Sequence, residues 1–397
     1  MKLNLYTLLV IAFLLRVLFS VFIHPIDEFI FSDMRNYSHI ADMILKNEWI
    51  PNHFFQPIGF SLVMALFKFF FENWGLALAI LNSLLSTLTL YFIYKAVEET
   101  WPQQKYSHPV LIIGVFHAPW ILFTGFALSE TFFTFFLSLL LYQSAKLWKN
   151  NFKIFHAFSW GLIFILAFFL KGTLVFLGPI SYLFIYKVFK WESLKKFILP
   201  VGFVVSVGLI FHGILTYKTI NKFQLSATAG GLNFVEGKCP YKWNVDNRNV
   251  DWLSPMYYQL GYNKSKKNWD ASFLDSSYFM KEGIKCIMKY PATIIQSLEG
   301  IPLLFFGNML WPGNQWKSKE WMRLYELFFA IFVIVGLTIY IIKIKKEINL
   351  NFQIFTWILP IISLFVCVYI FKSEIRFRIP FDVFFIPLSY VGWRKIL

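Results

Sequence analysis

Charge is scarce in this chain. Of its 397 residues only 15% are Asp, Glu, Lys or Arg, whereas 57% are hydrophobic, and the mean hydropathy is +0.57. A soluble domain carries roughly 25% charged residues, so this chain lacks the polar groups to cover a water-facing surface. Lipid must serve as solvent for much of it. Acids are scarcer than bases, 22 against 37, and leave a net charge of +15. A nucleic-acid-binding protein gathers its cations on a stripe or arm; here they sit in short clusters between apolar runs, the pattern that orients a membrane protein. Cysteine is nearly absent. Cys239, Cys286 and Cys367 show no C-x-x-C spacing, which argues against a thiolate metal centre or a redox motif. No repeat relates the two halves, as it commonly does in transporters. No A-x-A-like cleavage site follows Ser20, and Arg16 interrupts the first apolar run, so residues 5–23 are expected to stay as a spanning helix.

What is present is a series of apolar runs, each near the length of about 20 residues that a span needs. They cover 5–23, 75–95, 108–126, 131–148, 154–171, 173–189, 196–215, 323–343, 352–371 and 378–393. Stretch 57–71 is short and carries Lys68, and 292–310 is broken by Glu299, Gly300 and Pro302. With ten spans and the N-terminus inside, every strong basic cluster (Lys95 and Lys105; Lys146, Lys149 and Lys153; Lys187 to Lys196; Lys343 to Lys346; Arg394 and Lys395) falls on one side. If either ambiguous stretch alone crossed, all later clusters would invert, so both are placed at the outer interface. The expected fold is an all-α membrane bundle of about ten helices, ten to twelve at the limits, with outer juxtamembrane helices and a mostly helical external segment after the seventh span. Its parts are 1–215, whose first outer loop is 24–74, then an external segment 216–322, and a C-terminal module 323–397. Cys239 and Cys286 share the external segment, where a disulfide and two free thiols are both open.

Residues 33–46 can form a short interfacial helix, with Ser32 or Asp33 as cap and Tyr37, Ile40, Ala41, Ile44 and Leu45 on an apolar face. That places the Asp33 carboxylate just above the hydrocarbon, where it can take a proton from a hydroxyl arriving through water. An ordinary N-cap would look the same. Arg16 sits inside a span, where ionisable groups usually face a cavity or a partner. His117 and His212 lack metal-ligand spacing and read as packing or hydrogen-bonded histidines.

The run Asp33-Met34-Arg35-Asn36-Tyr37-Ser38-His39-Ile40-Ala41, followed by Gln56-Pro57-Ile58-Gly59, resembles the start of the GT-C polytopic glycosyltransferases, in the glycosyltransferase family 39 branch of protein O-mannosyltransferases and lipid A aminoarabinose transferase. Four more elements follow in the family's order. They are Ser129-Glu130 before the fourth span, Lys171-Gly172 after the fifth, Gly230-Gly231-Leu232-Asn233 after the seventh, and Glu374-Ile375-Arg376-Phe377-Arg378-Ile379-Pro380 before the last. The family's frequent Asp-Glu pair is Asp33-Met34 here, and an intact pair, Asp27-Glu28, lies upstream without the Tyr spacing.

The resemblance implies transfer of a sugar from a polyprenyl-phosphate donor to a lipid, glycan or protein acceptor on the extracytoplasmic face. Asp33 would be the base, with Glu130 as a second catalytic acid that positions the acceptor, orients Lys171 or holds a metal. Lys171, Arg376 and Arg378 would bind the donor phosphate, and Tyr37, Gln56, Asn233, Glu374 and Arg16 would position substrate. No cofactor is required outright, and a divalent metal is left open. The Lys-, Asn-, Ile- and Phe-rich usage fits an AT-rich bacterial genome, so a bacterial inner membrane with a periplasmic working face is expected, and no nucleic-acid partner. A flippase or other transporter for lipid-linked oligosaccharides, an O-antigen polymerase or ligase, and a non-catalytic scaffold are the competing readings.

Overall fold

The computed structural model describes residues 4–188, 191–239, 242–245, 252–253, 266–269, 274–306, 319–344 and 350–396. All ten apolar segments are helical. Leu5–Val17 (α1) continues through a π-helical stretch to Ile23. Two helices then precede the next long one: Asp33–Leu45 (α2) and Gly59–Phe70 (α3). Trp74–Thr100 (α4), the bent pair Ser107–Val115 (α5) and Ala118–Leu122 (α6), Glu130–Lys149 (α7), Ile154–Leu170 (α8), Leu177–Val188 (α9) and Trp191–Ile220 (α10) complete the first two hundred residues. Among the described residues, five helices are long and apolar enough to cross a membrane, and α5–α6 makes a sixth if the pair is one span bent by 55°.

The stretch after α10 holds Ala229–Lys238 (α11), Ser276–Lys289 (α12), Ala292–Gln296 (α13) and Gly300–Phe306 (α14). It also holds a small sheet that sequence reading did not foresee. Lys242–Val245 (β1) pairs antiparallel with Trp252–Leu253 (β2) and parallel with Lys266–Trp269 (β3), in the order β2-β1-β3. Cys239 and Cys286 form a disulfide that joins α11 to α12. Gly231 packs where any Cβ would lie 2.2 Å from the Ser276 carbonyl, so this glycine allows the two helices to meet rather than making a turn. The chain closes with Lys319–Ile344 (α15), Leu350–Gln353 (α16) leading through a π-helical stretch into Leu359–Ile370 (α17), the single turn Ile375–Arg378 (α18), and Asp382–Arg394 (α19).

The C-terminal ends of α4 and α7 mark one end of the bundle, where Lys146 and Lys149 of α7 both donate to Glu99 of α4, at 2.5 and 2.7 Å. Helices α2 and α3 lie at the other end and pack on each other, with Lys68 of α3 donating to Ser38 Oγ and Asp42 of α2, both at 2.7 Å. Residue 68, awkward for a span, thus has its partners on the neighbouring helix α2. Segment 292–310 is divided into α13, a 3₁₀ turn and α14; residues 307–310 lie outside the described part.

Two cations expected near substrate are placed in the bundle interior instead. Arg16 is fully buried, and its Nε donates to Ser86 Oγ at 2.7 Å. Its Nη atoms donate to the carbonyls of Gly114 and Val115, at 3.2 and 3.3 Å. Those carbonyls are at the end of α5, which stops because Pro119 has no N–H to offer Val115 and disfavours helix before it. Arg16 therefore caps a broken helix. Arg378 is likewise fully buried; it donates to Glu326 of α15 at 2.7 Å, lies 3.3 Å from Asp382, and sits over the Phe329 ring. It pins α19 to α15. Arg378→Leu would leave two buried acids without their cation and is expected to cost about 3–5 kcal/mol. The thermal midpoint in detergent reads this loss, and the double change with Glu326→Leu should recover part of it; an unshifted midpoint in the single variant would show that the pair is solvated.

Candidate active site

A cavity of about 300 Å³ opens at the end of the bundle that carries α2 and α3. It is assembled from chain segments that are distant in sequence. Asp33 and Tyr37 come from α2, Gln56 from the turn before α3, and Ser129 and Glu130 from the start of α7. Lys171 follows α8, Asn233 comes from α11, and Lys372 and Arg376 flank the end of α17 and α18. One wall is apolar, formed by Leu128, Phe168, Phe169, Leu170, Val175, Phe371 and Phe377. This volume matches the lower range of small-molecule sites, with few polar groups converging on an apolar enclosure.

Local structure explains how Asp33 is presented. Ser32, at the cap position of α2, has φ 47° and ψ −130° and gives no side-chain cap. A non-glycine residue held at such angles costs of order 1–3 kcal/mol. The turn frees Asp33 from capping its own helix, so both of its oxygens face other segments. Oδ1 accepts from Gln56 Nε2 at 3.0 Å and Oδ2 from Arg376 Nη1 at 2.8 Å. Tyr37, one helical turn on, is buried, meets the Phe60 ring edge-on, and is hydrogen-bonded to Ser129. The upstream pair Asp27-Glu28 lies elsewhere: it forms a 3₁₀ turn, and the Asp27 carboxylate packs on Gly75 of α4.

The remaining charges interlock. Glu130 is 2% exposed. Its Oε1 accepts from Lys171 at 2.7 Å, and Arg376 Nε approaches the same oxygen at 3.3 Å. Lys372 stands between Glu236 of α11 and Glu374, 3.0 Å from each, and Glu374 Oε2 lies 3.9 Å from Arg376. Burial alone would raise the Glu374 carboxyl, but Lys372 and Arg376 beside it outweigh this and hold its pKa at about 2. For Lys372 burial works against the charge, and Glu236 and Glu374 prevail, so its pKa is raised and the ammonium stays protonated. Glu236 goes the other way: burial pushes its carboxyl up, and Lys372 offsets this only in part. Arg376 is held charged against burial by Glu130, Asp33 and Glu374.

Among the residues singled out from sequence, Asp33, Tyr37, Gln56, Glu130, Lys171, Asn233 and Arg376 line the cavity. Glu374 supports it from behind through Lys372 and Arg376, whereas Arg16 and Arg378 do not reach it. Lys372 and His212 were not anticipated there. The run Lys372-Ser373-Glu374-Ile375-Arg376 holds a third charge at the helix boundary that could have marked the first of them. His212 is hydrogen-bonded, as expected, through Nδ1 to the Gln224 carbonyl at 2.9 Å, yet it also lines the cavity and stacks with Phe169. A divalent cation does not fit the donor set as arranged. Each of the two cavity carboxylates, Asp33 and Glu130, already bears a cation from the chain, and no three His, Cys, Asp or Glu side chains among the described residues group suitably.

The Glu374 geometry has a consequence for acid stability. A carboxylate with its pKa depressed on folding contributes fully above its ordinary value, near about 4.3, and loses that contribution as pH falls toward its folded value. Lys372→Met should lift the Glu374 pKa toward its unfolded value, so the share of acid destabilisation that Glu374 contributes shrinks and the profile below about pH 5 is flatter than in the parent. Thermal unfolding in detergent from about pH 7 to about pH 3 checks this; coincident profiles would mean that Lys372 does not hold Glu374.

No family model matches the chain, and no curated protein does. Its structure is similar to that of the Archaeoglobus fulgidus oligosaccharyltransferase, solved tethered by a disulfide to an acceptor peptide containing the NVT sequon, and also in complex with Zn and sulfate. In both cases the TM-score is 0.50 and the identity 13%; the match covers 99% and 98% of this chain and 49% of the oligosaccharyltransferase chain. This chain thus spans about half the length of the proteins it resembles, and it shares their fold, a mainly helical bundle with several long apolar helices.

Proposed function

We propose that this protein is a membrane glycosyltransferase that moves a sugar from a polyprenyl-phosphate donor to an acceptor on the extracytoplasmic face of a bacterial inner membrane. The observation that carries this reading is the convergence of Asp33, Glu130, Lys171 and Arg376 on one cavity with an apolar wall at the bundle's end. A lipid-linked sugar has the same division: a hydrocarbon tail that prefers apolar surface, and a phosphate and sugar that need cations and hydrogen bonds. The Lys146 and Lys149 cluster, at the opposite end of α7 from Glu130, supports an extracytoplasmic cavity, since such clusters stay inside. The acceptor is a lipid, a glycan or a protein bearing a hydroxyl.

In this mechanism the acceptor hydroxyl attacks the anomeric carbon. Its oxygen forms the new glycosidic bond, its proton passes to Asp33, and the bond from carbon to the phosphate oxygen breaks to release polyprenyl phosphate. Arg376 presents a planar fork to the departing phosphate, which a lysine cannot match, and Lys171 adds a point charge. Lys372 takes the place in this set that sequence reading gave to Arg378. Before substrate arrives these cations are satisfied by Asp33, Glu130, Glu374 and Glu236. Phosphate then replaces carboxylate at part of each cation, and positive charge is already in place where negative charge develops. Glu130 keeps Lys171 and Arg376 aimed at the same point. One base on one face in a single displacement inverts the anomeric centre.

Membranes supplied with a labelled polyprenyl-phosphate sugar test the assignment. Asp33→Asn retains the hydrogen-bonding shape but not the base and is expected to lower transfer by at least about 10²–10⁴-fold with unchanged expression. Full transfer by that variant removes Asp33 from the chemistry. Arg376→Ala is expected to raise the donor KM, and a donor KM equal to the parent's would confine Arg376 to structure.

A further inference from the structure

Helix α12 has two unlike faces. Phe279, Glu282, Gly283 and Cys286 are buried, with Gly283 against Phe234 of α11 and Cys286 in the disulfide. Met280, Ile284 and Met288 form an exposed row at intervals of four, with Ile284 49% and Met288 69% exposed. A second exposed row, Lys281, Lys285 and Lys289, runs beside it. Apolar side chains spaced one turn apart and flanked by lysines make a basic amphipathic surface, of the kind that lies in the plane of a membrane interface.

The position of α12 matches that use. Its start is tied to Lys222, just past α10, by Asp275 at 3.3 Å, and to α11 by the Ser276 hydroxyl, which accepts from the Gly231 amide at 3.0 Å. Past its end the chain passes into α13 and the 3₁₀ turn, which expose Ile295 and Leu298, and then into α14, which packs on α15 and α17. Helix α12 is therefore held against α11, which lines the cavity, and its exposed apolar side chains are followed in sequence by the exposed Ile295 and Leu298.

We propose that the exposed face of α12 is a docking surface for anionic lipid headgroups in the leaflet beside the cavity. Met280, Ile284 and Met288 enter the acyl boundary, and the three lysines lie at phosphate level. Each lysine close to an anionic surface favours it by about fivefold, so the row selects acidic over zwitterionic lipid. Lys285 also bonds Glu282, so that lysine is partly offset. The surface bears on the cavity through covalent structure: α12 is disulfide-linked to α11, which supplies Leu232 and Asn233 to the cavity wall. This inference does not depend on the sugar-transfer reading, because it concerns lipid contact and not chemistry.

An environment-sensitive fluorophore on Ile284→Cys, in the full chain with Cys367→Ser, reports the contact directly. The protein is reconstituted in phosphatidylcholine nanodiscs with or without phosphatidylglycerol. Blue-shifted emission, quenched by doxyl lipid and shielded from iodide, is expected, with stronger doxyl quenching when phosphatidylglycerol is present. Changing Lys281, Lys285 and Lys289 to Gln should abolish the dependence on phosphatidylglycerol and retain quenching in phosphatidylcholine. Iodide quenching with doxyl silent would overturn the proposal and leave the face to water or to a soluble protein. Equal doxyl quenching in both membranes would overturn the selection of anionic lipid. Met288→Cys gives the same reading one turn further along if Ile284→Cys fails to accumulate.

Discussion

Arg376 joins parts of the chain that lie far apart in sequence. Its guanidinium touches Asp33, 343 residues earlier, lies beside Glu130 at the start of α7, and is backed by Glu374. Glu130 is buried and would be costly to leave without a cation, and the guanidinium is largely shielded in turn. These pairings help to fix where α2, α7 and the α17–α18 junction sit relative to one another, and so shape the cavity.

A second layer of charge stands behind the first. Lys372 joins Glu236 to Glu374 and thereby connects α11 with the segment that carries Arg376. Gly237 lets α11 approach so closely that a Cβ there would lie 2.6 Å from the Phe371 carbonyl. The disulfide to α12 then ties the same helix outward. From α12 to Asp33 the connections run through a few short contacts. The apolar remainder contributes a scaffold: aromatic packing such as Trp160 on Phe164 and Phe197 holds α8 and α10 in place.

Much of this was legible in the sequence because lipid imposes a strict grammar. Length and hydropathy gave the helical segments. What failed was the fate of buried arginines. Arg378 is two residues from Arg376, and spacing alone treats them alike; in a single helical turn they face different sides, one into the cavity and one toward Glu326. No local pattern names Glu326 as a partner 52 residues away. Arg16 could not be interpreted without knowing that α5 breaks beside it. The small sheet was also missed, since β2 is two residues long and β1 and β3 four each, too short for alternation to register.

The cap that Arg16 places on α5 has an implication for how the protein is built. A lone arginine near the centre of a newly made helix is disfavoured by about 2.5–3.5 kcal/mol on insertion scales. Its relief comes from Ser86 on α4 and from carbonyls of residues 114 and 115. The first helix therefore gains its arginine's distant partners only when α4 and α5 have joined it, so Arg16 makes the final packing of these three helices interdependent.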